Sequence, residues 1–462
     1  MNVGRDTRPT AAPGRSGDTG ARRYCIVGAG PAGLAQARSF KRAGVPFDVL
    51  EKHHDVGGIW DMKNDGTPMY ETCRFISSRT LSGFFDYPMP ENYPDYPGHE
   101  QVLAYLRAFA RAYDLYPGIT FDTRVTSVER VGDGWRVTSS SGTRRLYAGV
   151  VCANGMTWDP YMPSHPGRFA GELRHASSYR GPYELAGRRV LIVGAGNTGC
   201  DIACDAAGHA RTAFISLRRG YHFIPRYILG MPTDVFAARS PKLPMPVRQP
   251  IFRMLLSLLV GRPETAGLPR PDHGILESHP IINSELLNHV RDGMLHPKPD
   301  IRGFADGKVR FVDGSEEEID LVLYATGYNM SFPFMDRTCF RWAGNRLKGY
   351  LTVFNADHDN LFTLGFVVTA AGVYEDFDRL AELVTNHVLD QAHNPERAAR
   401  FRELVRRDDP DLSGGLSYIR TARHATYVEH DAFRRHLEKV RRDMGWPALI
   451  PGYFDGARAP LG

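Results

Sequence analysis

A glycine-rich turn of the form GxGxxG occurs twice in the chain and constrains its fold more than any other feature. The first copy is RYCIVGAGPAGL at 23–34, and the second is RVLIVGAGNTGC at 189–200. In each copy an apolar run typical of a strand precedes the turn, and an alanine-rich stretch typical of a helix follows it. The two turns lie 166 residues apart. The sequence therefore predicts two units of strand, phosphate-binding turn and helix.

The glycines of such a turn have separate roles. Gly28 permits the tight turn, Gly30 lets the backbone approach a pyrophosphate, and Gly33 lets the helix pack closely on the strand. The helix N-terminus then presents free amide donors and partial positive charge to the phosphates. The predicted cofactor contacts at the two turns are Gly28, Gly30, Pro31, Ala32 and Gly33, and Gly194, Gly196, Asn197, Thr198 and Gly199.

The residue that ends the next strand distinguishes the two dinucleotides. Glu51 ends the run FDVLE, 18 residues after Gly33, where an acid can hold ribose hydroxyls. Arg218 and Arg219 lie 19 and 20 residues after Gly199, where cations suit a 2′-phosphate. A solvated charge is the alternative at each position, but the correct spacing recurs in both copies. We therefore expect an α/β flavoprotein with FAD at the first turn and NADPH at the second.

Three further segments are candidates for the cofactor sites or their sheets. The loop DVGGIW at 55–60 has two glycines and a tryptophan that could pass along the flavin; a turn with one packed aromatic ring is the alternative. The runs IDLVLYATGY at 319–328 and DNLFTLGF at 359–366 predict strands that end at glycine. The cofactor contacts predicted from these segments are Gly58, Ile59, Trp60, Ala325, Thr326 and Gly327, and Lys52, next to Glu51, is a further predicted contact.

Composition excludes several classes of protein. A net charge of +5 over 462 residues is too small to favour a nucleic acid partner. The most apolar run, 251–260, is half the length of a membrane span, so that it predicts a buried helix, with a lid, a dimer contact or peripheral membrane contact as alternatives. Six cysteines without ligand or disulfide spacing predict free thiols and a cytoplasmic location. Residues 1–22 predict a disordered tail, with an organelle transit peptide as the alternative.

The string FAGELRHASSY at 169–179 resembles the FxGxxxHxxxY fingerprint of the flavin-containing monooxygenases, which are class B flavoprotein monooxygenases. The fingerprint directly precedes the second turn, where that family joins its two domains. Further similar strings are GGIW at 57–60, FDYPMPENYPDYP at 85–97, NTGCDIA at 197–203 and YATGY at 324–328. The resemblance runs from about residue 23 to beyond residue 366, most of the chain.

The resemblance implies two Rossmann-like dinucleotide-binding domains, with the NADPH domain inserted into the FAD domain. The first part of the FAD domain is expected at 23–165, and the NADPH domain at 166–321 with a helical insertion at about 228–290. Residues 322–462 are expected to complete the FAD domain and to add C-terminal helices. The proline-rich segment 160–169 fits a hinge between the domains.

The resemblance also implies the reaction. In that family NADPH reduces FAD, O2 adds at flavin C4a, and one oxygen atom passes to a nucleophilic nitrogen or sulfur of a small molecule. No metal and no catalytic triad are expected. His175 of the fingerprint is expected to help couple the NADPH domain to oxygenation, with a plain linker histidine as the alternative. A homodimer is a further possibility.

One position departs from the family pattern. Many members carry an asparagine before a pair of hydroxyl residues, where it can touch both cofactors. The corresponding position here is Ile76, which is counted among the predicted cofactor contacts although its side chain cannot form a hydrogen bond. Ser77 and Ser78 follow, and we expect one of these hydroxyls near the flavin ring, although serines in a turn often bond only to local backbone.

Three other flavoprotein activities stay open at this stage. Baeyer–Villiger monooxygenases usually have tryptophan where this chain has Tyr179, and they carry an extended run that residues 61–70 lack, although some members with tyrosine oxidise ketones. A disulfide reductase needs a CxxC pair, whereas Cys200 and Cys204 are separated by three residues and fit helix packing. An NADPH oxidase stays a candidate because Ile76 stands where many family members carry the asparagine that can touch both cofactors.

Overall fold

Two five-stranded parallel sheets organise the part of the chain that the computed structural model describes. The described residues are 23–241, 245–305, 307–419, 421 and 426–458. The tail predicted at 1–22 lies outside them. We refer to the parts built on the two sheets as the first unit and the second unit.

The helices and strands follow one another in a pattern that alternates within each unit. The elements up to residue 160 are β1 (Tyr24–Val27), α1 (Pro31–Ala43), β2 (Phe47–Leu50), α2 (His99–Ala112), β3 (Ile119–Thr120), β4 (Val125–Val131), β5 (Gly134–Ser139), β6 (Arg144–Tyr147), β7 (Gly149–Cys152) and β8 (Asp159–Pro160). Those of the middle of the chain are β9 (Glu172–His175), β10 (Arg189–Val193), α3 (Asn197–His209), β11 (Thr212–Ser216), β12 (Phe223–Ile224), β13 (Tyr227–Ile228), β14 (Met231–Pro232), α4 (Thr233–Arg239), α5 (Met245–Leu259), β15 (Ile281–Ile282), α6 (Leu286–Arg291), β16 (Leu295–Lys298), β17 (Ile301–Ala305), β18 (Lys308–Phe311), β19 (Glu316–Glu318) and β20 (Leu321–Tyr324). The last are β21 (Tyr328–Asn329), β22 (Arg341–Ala343), β23 (Arg346–Lys348), β24 (Leu361–Thr363), α7 (Tyr374–His393), α8 (Pro395–Arg407) and α9 (His430–Asp443).

The first sheet has the strand order β24-β7-β1-β2-β3. Strand β1 lies at its centre, and Val27 pairs with Leu50 on one side and Cys152 on the other. Helix α1 connects β1 to its parallel neighbour β2, the usual crossover of such sheets. Because β24 comes from residues after the second unit, the first unit is discontinuous in sequence.

The second sheet repeats this arrangement with the order β16-β11-β10-β20-β9. Helix α3 connects β10 to β11, as α1 connects β1 to β2. Each unit also carries a three-stranded antiparallel sheet, β4-β5-β6 in the first and β17-β18-β19 in the second. The mixed α/β fold with two dinucleotide-binding units, one inserted into the other, agrees with the predicted fold class.

The return to the first unit comes later than the sequence predicts. The boundary expected at residue 322 falls inside β20, where Leu323 pairs with Ile192 of β10 and with Arg174 of β9. Strand β20 is therefore internal to the second sheet. A short apolar run fits either sheet equally well, and only its pairing assigns it. The return follows Tyr324.

The segment between β11 and β16 contains α4, α5 and α6, in the region where a helical insertion is expected. Helix α5 covers most of the apolar run 251–260. Phe252 and Leu256 are buried in a small core, whereas Met254 and Leu258 are 64% and 77% exposed. Among the described residues, no helix combines the length and apolar character that crossing a bilayer requires. The prediction of a buried helix is therefore correct for one face only, and the lid, dimer contact and peripheral membrane contact given as alternatives stay predictions.

Helix α7 packs on α1 through a buried ion pair. Arg38 Nη2 lies 2.6 Å from Asp378 Oδ1, and both side chains are shielded from solvent. The Arg38 guanidinium also lies 3.6 Å from the centre of the Phe454 ring, and the Phe85 amide donates to Asp378 Oδ2 over 2.8 Å. Burial raises the pKa of Asp378 to about 6, although Arg38 opposes the shift. Removal of one partner would leave a buried charge alone, so the pair holds α7 in one position on α1.

A second buried titratable group, His387, lies on α7 among aromatic rings. The ring centres of Phe354, Phe362 and Phe401 lie 6.1, 6.3 and 4.9 Å from that of the imidazole. Its Nε2 accepts a hydrogen bond of 3.1 Å from the Gln391 side-chain amide, which fits a neutral ring. Burial lowers the pKa of His387 to about 4.

We expect His387 to make the fold less stable in mild acid. The unfolded chain binds a proton at this histidine near pH 6.5, whereas the folded chain resists it until about pH 4. The contribution of neutral His387 to the unfolding free energy is therefore complete above pH ~6.5. It decreases as the pH is lowered towards about 4, by about 3 kcal/mol in total. Chemical denaturation of His387→Gln should show a flatter dependence on pH. The control is His393→Gln, which changes an exposed residue at the end of the same helix; an equal slope in all three proteins would contradict the prediction.

Candidate functional site

The first glycine-rich turn connects β1 to α1 through contacts that exclude side chains. Gly28 has φ of +105°, and a Cβ there would lie 2.7 Å from the carbonyl oxygen of Ala153. A Cβ at Gly33 would lie 1.9 Å from the carbonyl oxygen of Gly28. The helix is therefore seated on the end of the strand more closely than any other residue type would allow.

The second turn has the same geometry. Gly194 has φ of +104°, and its Cβ would lie 2.7 Å from the carbonyl oxygen of Ala325. A Cβ at Gly199 would lie 2.1 Å from the carbonyl oxygen of Gly194. The sequence repeat is thus a structural repeat, in which Ala153 after β7 corresponds to Ala325 after β20. This correspondence indicates that Ala325, Thr326 and Gly327 lie beside the second turn rather than the first.

The starts of both helices suit an anionic ligand. Gly30 and Gly196 are the N-cap residues of α1 and α3, and neither helix has a side-chain cap, which leaves the first amides free to donate to a phosphate. Pro31 occupies the first helical turn of α1, next to Ala32. In α3 the corresponding residues are Asn197 and Thr198.

The loop with two glycines crosses the first turn. The Gly57 amide donates to the Ala29 carbonyl over 3.1 Å, and a Cβ at Gly58 would lie 3.1 Å from Gly30 Cα. The loop continues through Ile59 to Trp60, which is buried. Because Gly30 and Gly58 lack side chains, a space remains beside them that a Cβ would fill. This space fits the pyrophosphate of a dinucleotide.

Glu51 at the end of β2 is tied to the first turn. Its Oε2 accepts a 2.6 Å hydrogen bond from the Ala29 amide, and its Oε1 accepts one of 2.9 Å from the His53 amide. The side chain is buried, so that its charge is held beside the turn. The next residue, Lys52, lies over the Trp158 ring with Nζ 3.7 Å from its centre, and burial lowers the pKa of this lysine.

A third strand end reaches the first turn, and sequence reasoning did not assign it to the site. Gly365 follows β24 with φ of +94°, and its Cβ would lie 2.9 Å from Ala32 Cβ. The loop after β24 therefore passes the N-terminus of α1. The sequence signal for this contact was the glycine near the end of the run 359–366. Gly365 follows its strand as Ala153 and Ala325 follow theirs.

The segment at the position of the missing asparagine lies close to this loop. Ile76 is 39% exposed, whereas Ser77 and Ser78 are buried. The Ser77 hydroxyl accepts a 2.7 Å hydrogen bond from the Ser82 hydroxyl, and a Cβ at Gly372 would lie 2.9 Å from that Ser82 oxygen. Ser78 Oγ is buried and has no hydrogen-bond partner among the described residues.

The basic pair predicted at the second turn follows β11. Arg218 is exposed, and within the described residues its side chain forms no hydrogen bond or ion pair. Arg219 is partly buried and acts electrostatically on Asp272. Asn197 is engaged locally: its amide donates to the Pro280 carbonyl over 3.1 Å and accepts from the Ile282 amide over 2.9 Å. It therefore fastens the start of α3 to β15.

His175 joins the fingerprint to the strand end of the second unit. Its Nδ1 accepts a 3.1 Å hydrogen bond from the Ser177 amide, which leaves Nε2–H to donate to the Gly327 carbonyl over 3.0 Å. Its ring packs at 5.0 Å against the ring of Tyr328. Burial lowers the pKa of His175, so that the neutral ring that these bonds require is favoured.

Two carboxylates of α3 hold the interface between the units, and neither was predicted. Asp205 accepts hydrogen bonds of 2.9 Å from the Tyr179 hydroxyl and 2.7 Å from the Thr72 hydroxyl. Asp201 accepts one of 3.0 Å from the Tyr70 hydroxyl, and burial raises the pKa of Asp201 to about 6. The tyrosine that ends the fingerprint thus anchors the second glycine-rich helix beside residues of the first unit. The carboxylates lie in the string NTGCDIACD, but nothing local to it names their partners.

The profile of a family described as flavin-binding monooxygenase-like matches residues 21–430 of the chain. Flavin-containing monooxygenase 5 of Rattus norvegicus is 30% identical over 377 residues, which are 75% of this chain and 69% of that protein. The N-oxide-forming dimethylaniline monooxygenase 2 of Macaca mulatta is 28% identical over 424 residues, which are 85% of this chain and 78% of that protein.

Solved structures of related fold cover nearly the whole chain. S-allyl-L-cysteine S-oxygenase from Allium sativum superposes with a TM-score of 0.61 at 20% identity, over 94% of this chain and 91% of that one. Cyclohexanone monooxygenase from Rhodococcus sp. Phi1, in a structure bound to NADP+, has a TM-score of 0.68 at 18% identity, over 91% of this chain and 97% of that one. At these identities the likeness concerns the fold.

Replacement of Gly199 by alanine should disrupt the second turn. Its Cβ would overlap the Gly194 carbonyl, and relief requires that α3 move away from the strand end. We expect a loss of unfolding free energy of about 1–3 kcal/mol, the usual cost of overpacking, together with weaker NADPH binding. Chemical denaturation and coenzyme titration measure the two effects.

The matched control lies on the same helix. A Cβ at Gly208 would meet nothing within 4 Å, so Gly208→Ala should leave NADPH binding unchanged and stabilise the fold by about 0.5–1 kcal/mol. The same response from both variants would show that close packing at Gly199 is not the constraint.

Proposed function

The chain belongs to the flavin-binding monooxygenase-like family and is an FAD- and NADPH-dependent monooxygenase, and from this premise we propose that it oxygenates a nucleophilic nitrogen or sulfur of a small molecule. The observation that carries the proposal is the pair of glycine-rich turns with opposite charges at the following strand ends, Glu51 and Arg218. The fingerprint that ends at Tyr179 connects them.

Bound FAD and NADPH supply hydride transfer and the activation of O2, and the protein supplies position and electrostatics. The residues proposed to hold FAD are those of the first turn, Glu51, and the loop that passes Gly58. The residues proposed to hold NADPH are those of the second turn, Arg218 and Arg219. Glu51, fixed by the Ala29 amide, keeps a negative charge where ribose hydroxyls can donate to it.

Heteroatom oxygenation is favoured over ketone oxidation by the residue that ends the fingerprint. The Tyr179 hydroxyl donates a hydrogen bond to Asp205. The tryptophan typical of Baeyer–Villiger enzymes would not reproduce this bond in the same geometry. Among the similar proteins, one is named N-oxide-forming and another is an S-oxygenase, whereas the structural neighbours also include enzymes named for cyclohexanone, which is a ketone. Ketone oxidation is therefore the second candidate.

His175 is proposed to act as a positioning residue rather than a proton donor. Both ring nitrogens are engaged, one with the Ser177 amide and the other with the Gly327 carbonyl. The ring therefore fixes the strand end beside the second turn relative to the fingerprint. It holds a proton at Nε2 and delivers none to a substrate.

Arg218→Ala should separate the two coenzymes. A charge-assisted hydrogen bond contributes about 1.5–3 kcal/mol, so the variant should bind NADPH at least about tenfold more weakly, with NADH nearly unaffected. Titration with each coenzyme measures the difference. Arg211→Ala, just before the opposite end of β11, is the control and should leave both affinities unchanged. Equal losses for NADPH and NADH in Arg218→Ala would show that this side chain does not contact the 2′-phosphate.

Ser78 and Ser77 should behave differently. The Ser78 hydroxyl is buried without a partner in the described residues, which leaves it free to donate to a bound group. Ser78→Ala should therefore increase the H2O2 released per NADPH consumed, while the unfolding free energy changes little because no described hydrogen bond is lost. Ser77→Ala removes the acceptor of the Ser82 hydroxyl, at a cost of about 1 kcal/mol in stability. Unchanged coupling in Ser78→Ala would remove this serine from the site.

The reaction itself is tested by a screen of NADPH consumption with amines, thioethers, amino acids and ketones, with H2O2 measured in parallel. For the best substrate, heavy-isotope O2 should place one labelled atom in an N- or S-oxide and the other in water. An ester as the labelled product would establish the ketone reaction instead. Consumption of NADPH that yields only H2O2 for every class would identify an NADPH oxidase, and new protein thiols on reduction would identify a disulfide reductase.

A further inference from the structure

A cluster of metal-ligating side chains lies between α3 and α6, outside the proposed dinucleotide sites. Its members are Cys204 on α3, Glu285 at the start of α6, and His289 one helical turn further. The candidate ligand atoms of these residues all lie within 4.8 Å of one another. We propose that the cluster binds a zinc ion through these three side chains, with the fourth coordination position open to water.

The chemistry of the donor set selects zinc over harder cations. Thiolate and imidazole are ligands for Zn²⁺, whereas Mg²⁺ and Ca²⁺ take oxygen ligands and would find a single carboxylate here. Tetrahedral bonds of about 2.0–2.3 Å place neighbouring ligand atoms roughly 3.5 Å apart. Closure from 4.8 Å thus needs a movement of about 1 Å, which the exposed side chain of Glu285 can provide by rotation.

Asn283 builds the cluster from the side of α6. Its Oδ1 accepts hydrogen bonds of 2.9 Å and 2.8 Å from the Glu285 and Leu286 amides, which orients the start of the helix. Its Nδ2 lies 3.6 Å from Cys204 Sγ. The Asn283 side chain therefore orients the backbone that carries Glu285 and His289, and it also contacts Cys204. Such outer contacts hold ligands in place around protein-bound metals.

The His289 imidazole and the Cys204 thiol are available to bind a metal ion. Nδ1 of His289 is buried and has no hydrogen-bond partner among the described residues. Cys204 is a free cysteine, and the carboxylates of Asp201, Glu285 and Asp205 lie near enough to act electrostatically on its thiol. These carboxylates attract a cation, and zinc would replace the thiol proton as it binds.

The position of the cluster predicts its effect. Cys204 lies seven residues after Asn197, about 10 Å along the helix from the turn that faces the coenzyme. A zinc ion would cross-link α3 to α6 without occupying the pyrophosphate site. The expected consequence is a more stable second unit, since a ligand that binds only the folded state stabilises it.

The test is a titration of the full-length, FAD-loaded protein after treatment with a chelator and removal of any affinity tag. Calorimetry with Zn²⁺ should give one ion per chain and a rise in the midpoint of thermal unfolding. Co²⁺ should give tetrahedral d–d bands in the red, beyond the absorption of oxidised flavin, and Zn²⁺ should abolish them.

Variants locate the ion. Cys204→Ser and His289→Gln should each weaken Zn²⁺ binding at least tenfold and remove the tetrahedral Co²⁺ spectrum. The matched controls are Cys339→Ser, another partly buried cysteine, and His209→Gln at the end of α3, which should bind as the parent does. Absence of stoichiometric Zn²⁺ binding, or parental affinity in His289→Gln, would overturn the proposal. His289→Gln decides the matter even if Cys204→Ser folds poorly, because it changes only a partly exposed side chain.

Discussion

The close approach of a helix to the end of a strand, made at Gly33 and repeated at Gly199, sets how the other elements can be placed around both turns. A side chain at either position would overlap a backbone carbonyl of the same turn. Because each helix is seated this closely, its first amides face the edge where parallel strands end. The loops after β7, β20 and β24 can then meet the two turns, as the contacts at Gly28, Gly194 and Gly365 show.

The two units share this backbone and differ in the charges at its edge. Glu51 is buried and bound to the amide of the first turn, whereas Arg218 is exposed after the corresponding strand of the second. The modest net charge of +5 conceals this asymmetry, since the charges proposed to distinguish the two dinucleotides are local.

The units are joined by polar contacts as well as by the chain. Asp201 and Asp205 accept hydrogen bonds from hydroxyls of the first unit and of the fingerprint, and His175 fixes the strand end at Gly327. Strands β8 and β21, where the chain leaves and re-enters the first unit, pair with each other. Partly buried carboxylates are costly to leave without hydrogen bonds, so these bonds favour one arrangement of the units.

The two glycine-rich units, the charge at the end of each second strand and the fingerprint between them can be predicted from the sequence alone, because these signals depend on contacts within about 20 residues. The folded structure was needed to show which sheet contains β20, that Gly365 lies against Ala32, and that Asp205 bonds to Tyr179 and Thr72. It also distinguished Ser78 from Ser77 and brought Cys204 to His289. These contacts join residues distant in the chain, and neither periodicity nor composition encodes which distant surfaces will meet.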